Sequence, residues 1–182
     1  MMKKVLIIIL IMFGFFNKGN SAYDKLAYDF KFNGIEGNSI NLKDYENKVI
    51  VVVNVASRCG FTNQYEDLQA LWSNYKEKDL VVLGVPTNNF KQEPGSNKEI
   101  KDFCETNFNI NFPMTEKIDV IGNNAHPFFN WAKENHGKNA VPKWNFHKII
   151  IGKDGKIADT FSSITKPSSQ RFINLIEEEI KN

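Results

Sequence analysis

Only two cysteines occur in the 182 residues, and one of them, Cys59, lies in the stretch Asn54-Val55-Ala56-Ser57-Arg58-Cys59-Gly60-Phe61-Thr62. The apolar run before it, residues 48–53, is too short and too rich in β-branched side chains for a helix and reads as a buried strand. Beyond it Tyr65, Leu68, Trp72 and Tyr75 recur at helical spacing, and Asn63 with Glu66 has the spacing of a capping pair. Cys59 is thereby expected in a strand-to-helix turn. Unpaired backbone N–H groups, the positive end of a helix dipole and Arg58 would all favour thiolate over thiol there, and a thiolate is a nucleophile. The competing reading is a structural cysteine packed beside an apolar strand.

Residues 80–85 form a second continuous apolar run, and with the intervening helix the two runs make a β-α-β unit of parallel strands. A right-handed crossover brings both strand ends to one edge, so the Cys59 turn and the Asn88-Asn89 loop are expected to be neighbours. Gln92-Glu93-Pro94-Gly95 continues the loop, and Ser96 is placed to cap a helix over residues 97–107. Ile100, Phe103 and Cys104 share one apolar face of it, so Cys104 is expected to pack inward. Asn107, Asn109 and Asn111 are poor helix formers ahead of Pro113, which leaves that helix end open to unwinding. While it stays formed, Cys104 is expected beyond the roughly 7 Å between Cα atoms that a disulfide spans.

The remaining elements frame this unit. A strand is expected over residues 27–32 and a turn over 34–38. Later come a helix over 125–135 ended by Gly137, a strand over 147–151, a hairpin turn at Lys153-Asp154-Gly155-Lys156 and a returning strand over 157–161. Pro167 is expected to open a last amphipathic helix with Phe172, Leu175, Ile176 and Ile180 on one face. Residues 23–182 thus read as a single domain.

Residues 1–22 carry a basic start (Lys3, Lys4), an apolar run over 5–16 and a polar end, the pattern of a secretory signal peptide. The apolar run falls short of the roughly 20 residues that span a bilayer, so cleavage near Ala22 is expected, with an uncleaved anchor as the alternative. Export to a bacterial periplasm, or secretion, follows. Loss of Lys3, Lys4 and Lys18 with the leader leaves 20 basic against 21 acidic residues, a net charge of −1, and no basic stripe that would suit nucleic acid. His126, His136 and His147 show no metal-ligand spacing with the cysteines, and no metal or cofactor is expected.

Three stretches, in this order, resemble the signature motifs of the glutathione peroxidase family: Asn54 to Thr62, Leu83-Gly84-Val85-Pro86-Thr87-Asn88-Asn89-Phe90 with Gln92-Glu93-Pro94-Gly95, and Lys143-Trp144-Asn145-Phe146. The resemblance covers nearly all of residues 25–180. It implies an α/β, thioredoxin-like fold, a central mixed β-sheet flanked by helices, and a peroxidase. Cys59 stands at the peroxidatic position. Trp144 and Asn145 match two hydrogen-bond donors of the family's tetrad, and Asn89 stands where its glutamine normally is, with the amide on a side chain one methylene shorter. Thr87 replaces a further cysteine of many members.

Cys104, in Phe103-Cys104-Glu105-Thr106, matches the resolving cysteine of the branch that uses thioredoxin. The short segment between Trp131 and Trp144 implies a monomer, because tetrameric relatives assemble through a longer one. The implied cycle reduces hydrogen peroxide and organic or lipid hydroperoxides to water or alcohols. Cys59 becomes a sulfenic acid, Cys104 condenses with it to a Cys59–Cys104 disulfide, and a thioredoxin-like protein or glutathione reduces that bond. Contact with a membrane surface is left open for lipid substrates. The alternative is an exported thioredoxin-like thiol–disulfide exchange or binding module whose two cysteines form a structural disulfide.

Overall fold

The computed structural model describes residues 23–182, so the expected leader lies outside the described residues. A short antiparallel hairpin, β1 (Lys31–Asn33) with β2 (Ser39–Asn41), precedes the main sheet. That sheet contains β3 (Val49–Val55), β4 (Leu80–Pro86), β5 (Lys148–Ile151) and β6 (Ile157–Phe161) in the spatial order β4-β3-β5-β6. β3 and β4 are parallel, from Val49 opposite Leu80 to Val55 opposite Pro86, and helix α1 (Gln64–Tyr75) makes the crossover. β5 runs antiparallel to β3, and β6 antiparallel to β5. The ends of β3 and β4 therefore share an edge with the start of β5.

Every residue of β3 and β4 is buried, because helices cover both faces of the sheet. On one face Val49, Val51, Val53 and Val55 pack with Tyr65, Leu68 and Leu71 of α1. Ile100 and Cys104 of α2 (Asn97–Phe108) and Phe172 and Ile176 of α4 (Gln170–Lys181) complete that layer. On the other face Ile50, Val52, Leu83 and Val85 meet Phe128, Phe129 and Trp131 of α3 (Pro127–His136). The Ser96 cap forms as expected: its Oγ accepts the Glu99 N–H at 3.3 Å and Glu99 Oε2 accepts the Ser96 N–H at 2.7 Å. The asparagine-rich end of α2 closes on Asn109, whose φ of 51° places it in the left-handed region that asparagine tolerates.

Four boundaries differ from expectation. Residues 27–29 form a 3₁₀ turn, not strand, because Asp29 Oδ2 accepts the Leu26 N–H at 2.9 Å and closes the chain locally; pairing starts at Lys31. The Asn63–Glu66 pair caps nothing. Asn63 is itself in helical geometry, φ −59° and ψ −17°, as the turn before it winds directly into α1. Helix α3 starts at Pro127, capped by the His126 ring, whose Nδ1 accepts the Phe128 N–H at 3.3 Å. Pro167 lies in a turn, and α4 begins at Gln170.

Lys148 on β5 is fully buried, with Nζ donating to Gln64 Oε1 and to the Thr165 carbonyl at 2.7 Å. No carboxylate bonds to it, and burial pushes its ammonium down to about 7. In the unfolded chain a lysine keeps its proton to about pH 10.4, so between pH 7 and 10 the unfolded state binds more protons than the folded one. Stability is therefore expected to rise with pH across that window. Urea midpoints measured from pH 7 to 9.5 should climb in the parent protein and flatten in Lys148→Met.

Candidate active site

Cys59 sits in the turn joining β3 to α1, 9% exposed. Thr62 closes this turn: its Oγ1 accepts the Cys59 N–H at 3.0 Å and donates to the Cys59 carbonyl at 2.7 Å. The Phe61 N–H points at the sulfur, 3.4 Å from Sγ. The turn thus offers Cys59 a main-chain donor before any side chain is considered.

The loop after β4 is strapped to this turn. The Arg58 N–H donates to the Gln92 carbonyl at 3.0 Å, and Glu93 Oε2 accepts both the N–H and the hydroxyl of Ser57, at 2.7 and 2.9 Å. Glu93 is only 1% exposed; burial raises its carboxyl, opposed by the Ser57 donors and by the charges of Lys117 and Arg58. The expected proximity of the Cys59 turn and the loop after β4 is observed, and it is made through Gln92 and Glu93 of the second motif stretch, to which the sequence reading gave no role of their own. Glu93→Ala would leave the Ser57 N–H buried without a partner, at a cost of about 1–3 kcal/mol. A lower thermal midpoint and slower Cys59 reaction are expected, checked by calorimetry and stopped-flow mixing.

Asn54, the penultimate residue of β3, brings in the third stretch. Its Nδ2 donates to the Trp144 carbonyl at 3.1 Å, its Oδ1 accepts the His147 N–H at 3.1 Å, and its own carbonyl accepts the Phe146 N–H. These bonds extend the β3–β5 pairing toward the Cys59 edge. Asn145 is fully buried and its Nδ2 donates to Gln92 Oε1 at 2.8 Å, while its Oδ1 has no partner. Trp144 is 41% exposed, with its ring 5.5 Å from that of Phe90 at 45°.

Asn89 is bonded away from the Cys59 turn. Its Nδ2 donates to Asp119 Oδ1 at 2.7 Å, and its Oδ1 accepts from the Thr87 hydroxyl at 2.9 Å and from the Val120 N–H at 2.7 Å. The carboxamide is spent on the turn at residues 119–121 and makes no hydrogen bond to Cys59 Sγ. The shorter side chain finds partners for both its Nδ2 and its Oδ1 close to its own backbone.

Cys104 packs inward on α2, 0% exposed, and both cysteines are free thiols. Burial pushes the Cys104 thiol up to about 11, with the neighbouring Tyr65 hydroxyl pulling it back. Tyr65 is itself fully buried, and burial raises its hydroxyl well above the ordinary tyrosine value.

A cysteine at the junction of a central parallel strand and the following helix, on a mixed sheet covered by helices on both faces, defines a thioredoxin-like thiol protein. The comparisons narrow the class. The model of the glutathione peroxidase family matches residues 27–133. The hydroperoxy fatty acid reductase gpx1 of Synechocystis is 43% identical over 149 residues, covering 77% of this chain and 88% of that protein. The glutathione peroxidase-like peroxiredoxin 2 of Saccharomyces cerevisiae is 44% identical over 147 residues, 78% of this chain and 90% of that one. Among solved structures, Trgpx in its apo form shares 35% identity with a TM-score of 0.69, covering 87% of this chain and 97% of that chain. The chain belongs to the glutathione peroxidase family, and it is a thiol peroxidase that reduces hydroperoxides.

Proposed function

We propose that Cys59 is the peroxidatic thiol and Cys104 the resolving one. The observation that carries this reading is that all three motif stretches converge on one turn: Ser57 and Arg58 bond to Glu93 and Gln92, and Gln92 bonds to Asn145. Cys59 thiolate attacks the distal peroxide oxygen and becomes a sulfenic acid, with water or an alcohol released. Cys104 then displaces the sulfenic oxygen as water, and the resulting Cys59–Cys104 disulfide is reduced by a thioredoxin-like protein or by glutathione. No cofactor enters the cycle.

The exposed Trp144, its ring against the half-buried Phe90, offers an apolar surface on the site's edge, which suits fatty-acyl hydroperoxides as well as hydrogen peroxide and admits contact with a membrane surface. The name of the Synechocystis relative supports the same substrate class. The protein acts as a monomer, exported by its leader; the basic-apolar-polar pattern of residues 1–22 supports export, and mass spectrometry of the native N-terminus tests it. Stopped-flow mixing of the reduced protein with hydrogen peroxide should consume about one equivalent in a fast phase, by the stoichiometry of one peroxidatic thiol. A panel of thioredoxin and glutathione added afterwards identifies the reductant. Absence of the fast phase sinks the proposal.

A further inference from the structure

We infer that Tyr65 is a positioning residue that primes the end of α2 to open, because its hydroxyl lacks a hydrogen-bond partner only while that end is closed over it. The inference rests on the resolving role proposed for Cys104. Its first ground is the hydroxyl itself. Tyr65, the second residue of α1, is 0% exposed, and among the described residues no group meets its hydroxyl in hydrogen-bonding geometry. Its neighbour is the Cys104 thiol, and a thiol is a weak acceptor. Burial, and after it the nearby Cys104, Glu93 and Cys59, keep the proton on the oxygen. The group is therefore a neutral donor with nothing strong to donate to. A phenylalanine would fill the same space without that cost.

The second ground is what covers the side chain. One support is Phe146, edge-on with ring centroids 5.3 Å apart and 86° between planes. Phe146 belongs to the fixed side of the site, since its N–H donates to the Asn54 carbonyl beside the β3–β5 pairing. The other support is Phe108, the last residue of α2, with ring centroids 5.3 Å apart at 36°. Cys104 and Phe108 are four residues apart and so share one face of α2. The thiol beside the hydroxyl and the ring on the ring thus leave together when the end of α2 lifts, while α1 and Phe146 stay.

Lifting that end admits water to the Tyr65 hydroxyl, which then gains the partners it lacked. The closed state is penalised and the open state is not, so the opening that delivers Cys104 is made easier. Tyr65 forms and breaks no covalent bond. In the step it serves, Cys104 attacks the Cys59 sulfenic sulfur, the S–S bond forms and the S–O bond breaks. The oxygen leaves as water with the Cys104 proton.

The test is Tyr65→Phe in the full-length protein. In a Cys59→Ser background, alkylation of Cys104 by iodoacetamide, read by peptide mass spectrometry, reports the opening without involving peroxide. It should slow by roughly fivefold to a hundredfold, the factor set by one unpaired buried hydroxyl, and the thermal midpoint of the reduced protein should rise. With Cys59 present, the fast peroxide phase should stay within about twofold of the parent, and the slow phase should fall by about the factor seen in alkylation. Unchanged alkylation overturns the inference. So does faster alkylation with a lower thermal midpoint, which would mean that the hydroxyl holds the helix shut. A fast phase slowed as much as the slow one would move the effect to Cys59 and overturn it as well. Slowed alkylation beside an unchanged slow phase overturns instead the resolving role of Cys104, and supports Tyr65 as the residue that loosens α2.

Discussion

Cys59→Ser is expected to remove the fast peroxide phase, slowing the reaction by at least about a thousandfold, roughly 4 kcal/mol of barrier. Peroxide is reduced by a thiolate, and a serine hydroxyl in the same turn neither ionises near neutrality nor donates electrons so readily to oxygen. The variant is a clean probe because the turn does not depend on the sulfur. Thr62 bonds the main chain of residue 59, Arg58 bonds the Gln92 carbonyl, and Ser57 bonds Glu93. Among the described residues the hydrogen bond to Sγ comes from the Phe61 N–H, and a serine oxygen can accept it as well. The thermal midpoint should therefore stay close to that of the parent while peroxide consumption disappears. A serine variant that consumes its first equivalent at the parent rate would move the chemistry to another residue.

Cys104→Ser is expected to separate the two halves of the cycle. The first equivalent of peroxide should be consumed at nearly the parent rate, after which turnover with a thiol reductant stalls. Cys59 would wait as sulfenic acid, open to capture by dimedone and, in excess peroxide, to further oxidation to sulfinic acid. Mass spectrometry reads both adducts. The reason lies in the placement of Cys104. Its thiol is 0% exposed on the covered face of α2 and pushed up to about 11, so at neutral pH it is neither free to move nor ionised.

On the proposed cycle, resolution by so buried a thiol is expected to require that the end of α2 open. That end is held by the left-handed Asn109 cap, the Asn109 N–H to the Glu105 carbonyl at 3.0 Å and the Ile110 N–H to the Cys104 carbonyl at 3.3 Å. Outside the core the thiol returns toward an ordinary value of about 8.5, so opening both delivers the cysteine and makes it more acidic. The parent's slow phase should quicken as pH rises from 7 toward 8.5. A slow phase of the same rate in Cys104→Ser would mean that another reductant resolves Cys59.

Much of the fold was legible because it is written in local patterns. Runs of β-branched residues mark β3 and β4, helical spacing marks α1, and Ser96 with Glu99 marks the start of α2. The inward face of Cys104 followed from the same periodicity. The first turn escaped because Asp29 satisfies a backbone N–H from three residues away, which competes with strand pairing without altering the apolar pattern.

For Cys59, the sequence alone determined the strand-to-helix turn and the family whose motifs surround it. Tertiary structure decided which side chains serve that turn. Asn89, Gln92 and Asn145 carry chemically equivalent carboxamides, and nothing in their types says which partners each will take. Asn89 went to Asp119, 30 residues away, and Asn145 to Gln92, 53 residues away. A carboxamide withdrawn from solvent pairs with whatever the fold brings within about 3 Å, so its commitment is settled by distant segments arriving together.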